Sequence, residues 1–143
     1  MQVSVNDLLS GASLLLAVVS VLFGLWYAEI QKTIDTKNIP AHLEDRNPVI
    51  KEIAATLSTK SIPLSLASLL VAMVFLPNSV LLIIKAIETI EQGGLVAALF
   101  QYNAVEAAFI AVELLAVALA IHTSTLLYKL GKLLKKVKSK TML

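Results

Sequence analysis

Glu106 and Glu113 stand in the stretch Asn103 to His122 (NAVEAAFIAVELLAVALAIH), an alanine- and leucine-rich segment with no other charge. They are seven residues apart. On a helix that is two turns, about 10.5 Å of rise, so both project from one side. Asn103 lies one turn before Glu106 on that side, and Ile110, Val117, Ala120 and Ser124 continue the stripe. An acid at the centre of a membrane span costs on the order of 3 kcal/mol, so it turns toward protein, another polar group or water.

Three kinds of chemistry fit such a pair. The first is structural: a neutral carboxyl donates a hydrogen bond to a neighbouring helix, or a charged one meets a cation on a partner protein. The second is conductive, with Glu106 and Glu113 from several copies of the chain lining a cation path as acidic rings. The third is catalytic or metal-binding and needs a further ligand, for which the span offers only His122. That residue is nine positions from Glu113 and near the opposite side of the helix, so one helix cannot bring the two together. Lys85 is the only cation near the outer end, placed to meet Glu106 but not Glu113.

The elements that position these residues follow from composition. Of 143 residues, 57% are hydrophobic and 15% charged, and the mean hydropathy is +0.82. That is far more apolar than an ordinary soluble domain. The expected fold is an all-α integral membrane protein, one membrane domain over residues 1–143, with spans at about 5–28, 62–84 and 103–128. Each reaches the roughly 20 residues needed to cross about 30 Å of hydrocarbon. There are no cysteines, which excludes thiol chemistry, disulfides and zinc–thiolate sites. The first span has no basic flank before it and no polar cleavage zone behind it, so we expect it to be retained rather than removed as a leader, and we expect no lipid anchor.

The net charge of +2 hides a segregation. The connection 29–61 carries Lys32, Lys37, Arg46, Lys51 and Lys60, the tail 129–143 carries six lysines and no acid, and the connection 85–102 has Lys85 alone. Because basic loops stay cytoplasmic, this expects the N-terminus outside and the C-terminus in the cytoplasm, with Trp26, Tyr27 and Tyr128 at the inner boundary. The absence of targeting signals points to a bacterial or archaeal cytoplasmic membrane.

Local signals refine the elements. Ser4 and Asp7 form a capping box that starts the first helix near Val5. Along that helix Ser13, Ala17, Ser20, Gly24 and Ala28 make a small-residue stripe suited to close helix packing, expected mainly within the chain. Asn47-Pro48 predicts a short cytoplasmic helix from Pro48 to about Ser58, apolar on the face of Val49, Ile50, Ile53 and Leu57, lying on the membrane surface or under the bundle. His42, Glu44 and Asp45 nearby lack paired-ligand spacing and read as a solvated loop. Pro77 predicts a kink in the second span, and Gly93-Gly94 its end. The tail sets Leu126, Leu127, Leu130, Leu133, Leu134 and Val137 at helical spacing among Lys129, Lys132, Lys135, Lys136 and Lys138. This predicts a basic amphipathic helix that bends at Gly131 and anchors on the anionic inner leaflet.

No nucleotide loop, catalytic triad or metal cage is present, and we expect no enzyme activity, no cofactor, no metal and no nucleic-acid partner. The partners expected are lipids of the anionic inner leaflet and either other membrane subunits or copies of the chain itself. The functional expectation is a non-catalytic subunit that stabilises a larger membrane complex through helix packing and the two glutamates. The alternative is a homo-oligomeric channel with Glu106 and Glu113 on the cation path.

Overall fold

The computed structural model describes residues 4–35, 43–100 and 103–139, with side chains for all of these except 43–46 and 95–100. These residues are almost entirely helical: α1 (Val5–Ile34), α2 (Leu43–Thr56), a π-helical turn (Leu57–Ser61), α3 (Ile62–Phe100) and α4 (Ala104–Ser139). Three helices, α1, the rod running from α2 into α3, and α4, are long and apolar enough to cross a membrane. The chain is a membrane-embedded helical protein.

α1 begins where the sequence predicts. Ser4 is the N-cap with extended backbone, its Oγ accepts from the Asp7 amide at 3.2 Å, and its hydroxyl donates to the Asp7 carboxylate at 2.7 Å. The helix continues six residues past the expected boundary at Ala28, to Ile34. Its buried positions Ala12, Val19 and Ile30, with Leu8, Leu16, Phe23 and Tyr27 partly covered, form the stripe that faces α3 and α4.

The expected short helix differs in two ways. α2 starts at Leu43, one turn before Pro48, which sits inside it; proline lacks the N–H for the carbonyl four residues back and so weakens that turn without ending it. α2 is also not a separate element. It runs through the π-helical turn into α3 as one continuous helix from Asn47 to Gly94. A π-helical turn inserts one residue and loosens the local ladder. Here the Ser58 and Thr59 hydroxyls both donate to the Ala55 carbonyl, at 3.2 and 2.7 Å. Lys60, in the same turn, forms an ion pair with Glu29 of α1.

Pro77 stands inside α3. α3 passes Pro77 with helical backbone angles, and the departure comes at Gly94, with φ 72° and ψ 176°. A side chain is strained at such a φ, which is why glycine occupies it. Residues 95–100 are helical beyond that break.

α4 corrects the reading of the tail. It runs unbroken from Ala104 to Ser139, about 54 Å, without a bend at Gly131. The apolar side of the tail is already covered: Leu130 and Val137 pack with Ile53 of α2, with Ile34, Val49, Ile50, Leu57, Leu133 and Leu134 around them. Since α2 provides the cover, the tail has no need to fold onto a bilayer. The two cores divide the molecule into a long three-helix bundle and a shorter helical layer beyond it, at the α2 end.

Outward-facing side chains of the bundle are large and apolar, among them Leu14, Val18, Val21, Leu25, Leu70, Met73, Leu81 and Leu114. Lipid tails are as apolar as leucine, so this exposure carries no penalty in a bilayer, and helix association rests on packing and interhelical hydrogen bonds.

Candidate functional site

α4 presents its buried residues as a stripe at helical spacing: Phe109, Glu113, Ala116, Ala120, Thr123, Leu126 and Leu130. It faces α3 positions Leu64, Ser68, Val71, Ala72 and Phe75, together with the interior side of α1. Two polar levels interrupt this seam, and they differ.

The level nearer the α2 end is fully bonded. Ser68 Oγ and Thr123 Oγ1 are 2.7 Å apart and Ser65 Oγ and Ser124 Oγ 3.2 Å apart, joining α3 to α4. Ser68 also donates to its own Ser65 carbonyl at 3.0 Å. The sequence reading missed these hydroxyls as a joint. Their signal was present, since Ser61, Ser65 and Ser68 recur at helical spacing and Thr123-Ser124 stands in the antiparallel register. Hydroxyls in apolar helices also bond their own backbone, however, so the pattern alone does not reveal a cross-helix pair.

At the other level stands Glu113. It is 4% exposed, and neither carboxylate oxygen has a hydrogen-bond partner among the described residues. Ser79 of α3, also 4% exposed, has an equally unpartnered hydroxyl. Glu113 therefore faces the interior of its own bundle and is not presented on the outer surface to other chains. Edge-to-face contact between Phe75 and Phe109, at 6.1 Å between ring centroids, packs the same interior.

The three polar residues expected to share one face thus have three separate situations. Asn103 is exposed and caps α4: its Oδ1 accepts from the Val105 amide at 3.0 Å and its carbonyl from the Ala107 amide at 3.0 Å. Glu106 lies in the first turn of α4, where the helix dipole favours an acid, and pairs with Lys85 at 3.3 Å. Lys85 is 67% exposed there, so the pair is a modest surface contact. Only Glu113 is an intramembrane polar group in the full sense.

His122 lies away from the glutamates, as the helical spacing requires. Its ring is 5.6 Å from Phe23 and 6.0 Å from Tyr27 of α1. Among the described residues, no three histidine, cysteine, aspartate or glutamate side chains gather into a group able to hold a metal. His42 and the side chains of Glu44 and Asp45 lie outside the described residues.

The small-residue stripe of α1 overturns the expectation of packing within the chain. Ser13, Ala17, Ser20, Gly24 and Ala28 are all exposed, and a Cβ built on Gly24 would meet nothing within 4 Å among the described residues. The helix instead turns its bulky side inward, because Leu8, Leu16, Phe23 and Tyr27 fill more of the space against α3 and α4. A second surface feature, a groove of about 510 Å³ between α3 and α4, is lined by Leu69, Met73, Leu76, Ile121 and Tyr128 among others. Two hydroxyls on its wall are already engaged, Thr125 with the Ile121 carbonyl and Ser124 with Ser65, and the rest of the surface is mainly apolar. Lys129, Lys132, Lys135, Lys136 and Lys138 are exposed along the far part of α4.

Comparison with protein-family models, with curated proteins and with solved structures finds no match of any kind.

Proposed function

We propose that the protein is a non-catalytic membrane subunit that assembles with other membrane helices, in a larger complex, through the small-residue face of α1. The observation that carries this reading is that Ser13, Ala17, Ser20, Gly24 and Ala28 face away from α3 and α4. Exposed Leu14, Val18, Val21 and Leu25 lie beside them. In lipid, a trough of small residues between larger ones lets a second backbone approach closely, and such contact is a main source of helix association. The intramembrane glutamates contribute less to assembly than the sequence implied, because Glu106 is paired with Lys85 and Glu113 is enclosed.

The orientation proposed is N-terminus outside and the α2 layer with the lysine-rich end of α4 in the cytoplasm, from the distribution of lysine and arginine. The membrane proposed is a bacterial or archaeal cytoplasmic membrane. With Tyr128 at the headgroup level, Lys129 and Lys132 sit within reach of anionic lipid. Lys138 stands about 15 Å along the helix, beyond the ~8 Å Debye length. The lipid anchor is thus assigned to the first lysines of the tail rather than to all of it. The alternative, a homo-oligomeric channel lined by Glu106 and Glu113, is less well supported, since a lining residue would have to leave the interior of the bundle.

The test is substitution on the trough. Ser20→Leu and Gly24→Leu are expected to shrink the detergent-extracted particle to the single chain, whereas Leu81→Ala, on exposed α3, leaves its size unchanged. A particle of unchanged size in both leucine variants refutes α1 as the assembly face.

A further inference from the structure

Among the described residues, Glu113 is the one buried acid, 4% exposed. The hydrophobic core of the bundle through which this stretch of α4 runs is made by Ala12 and Val19 of α1, with Leu8 and Leu16 partly buried beside them, and by Ala72 and Phe75 of α3. None of these is titratable. Toward the outer end of the bundle, Glu106 and Lys85 are committed to each other and Asp7 of α1 is hydrogen-bonded to Ser4, while His122 packs edge-on to Phe23 and tilted against Tyr27. No side chain on the described elements neutralises this carboxylate.

Ser79 comes to about the same depth. From the Ser68–Thr123 hydrogen bond, Ser79 is eleven residues along α3 and Glu113 ten residues back along α4, about 16 and 15 Å of helix rise. The Lys85–Glu106 pair brackets the same level from the other end. Several hydroxyls in this protein donate to the carbonyl four residues back, as Thr33 and Thr125 do, but Ser79 does not. Two groups with hydrogen-bonding capacity are therefore left open toward the same interior.

An isolated ionised carboxylate in a low-dielectric interior is strongly unfavourable, and buried charges are accordingly paired or bound to a cation. We propose that Glu113 and Ser79 form an intramembrane site for a monovalent cation, a proton or a sodium ion. Two carboxylate oxygens and a hydroxyl oxygen are the donor set a hard cation prefers. A proton serves the same site by neutralising the carboxylate, the form that a low-dielectric interior favours. The site is independent of the α1 assembly face, and either can fail without the other.

Dicyclohexylcarbodiimide, an apolar reagent that modifies protonated carboxyls in membranes, separates the two ligands on the full chain. In sodium-free detergent buffer, peptide mass spectrometry is expected to find the label on Glu113, to find it decline as pH is raised, and to find none in Glu113→Gln. Protection by added sodium chloride, but not choline chloride, identifies a sodium site; labelling that follows pH alone identifies a proton site. Ser79→Ala is expected to shift the half-labelling pH or sodium concentration by about tenfold, the weight of one hydrogen bond to a charged group. Ser61→Ala, which removes the other unpartnered buried serine hydroxyl, leaves it unchanged and controls for folding. The proposal is overturned if Glu113 stays unlabelled at every pH without sodium, if its labelling ignores both pH and sodium, or if Ser79→Ala behaves like Ser61→Ala.

Discussion

The two polar levels of the α3–α4 seam use similar residue types to opposite ends. At Ser68–Thr123 and Ser65–Ser124, short hydroxyls meet across the seam and every buried oxygen there is bonded. At Glu113 and Ser79, equally buried, none is. A bonded polar pair in lipid holds two helices in register, whereas an unbonded carboxyl weakens the fold that encloses it. The difference teaches that Glu113 is not retained as a structural lock. Its place in the bundle costs stability, as groups held for a function commonly do.

That contrast can be broken most forcefully at Phe109, fully buried and packed on Phe75 beside Glu113. Phe109→Ala opens a cavity one turn from the Glu113 level and is expected to destabilise the bundle by on the order of 3 kcal/mol, read by steric-trapping or denaturant unfolding in bicelles. A loss near zero would mean that the interior around Glu113 is not packed as described. Next in size is a difference of sign. Glu113→Leu, of similar volume, removes an unsatisfied buried acid and is expected to stabilise by about 1 kcal/mol. Thr123→Val removes a bonded hydroxyl and is expected to destabilise by about 1 kcal/mol. Destabilisation by both substitutions would show that Glu113 has a structural partner after all. The smallest effect belongs to the exposed pair: Lys85→Gln should change stability by less than about 0.5 kcal/mol and only at low salt. A larger change would make the Lys85–Glu106 contact a third structural level.

The membrane-spanning plan was legible because apolar length is the strongest signal a sequence carries; the Ser4 cap followed from local spacing, and the Lys85–Glu106 contact from both residues falling at the outer ends of adjacent spans. The inward face of α1 was not. In lipid both faces of a helix are apolar, so periodicity distinguishes small from large residues without saying which side packs. The cover on the tail was not legible for a related reason: an amphipathic pattern declares that its apolar side is covered without saying by what, and α2 packs on Leu130 and Val137. Pro77 and Gly94 show the same limit, since a helix absorbs one missing N–H more easily than a φ of 72°. Asn103 was grouped with the glutamates by spacing, although as the residue just before a helix it had a capping role open to it.

The central claim, that this chain works as part of an assembly, is tested most directly by native mass spectrometry of the particle extracted in mild detergent from its own membrane. The account predicts a mass well above the 15.4 kDa of the chain, made up of this chain together with other membrane subunits. A particle of 15.4 kDa alone would contradict it.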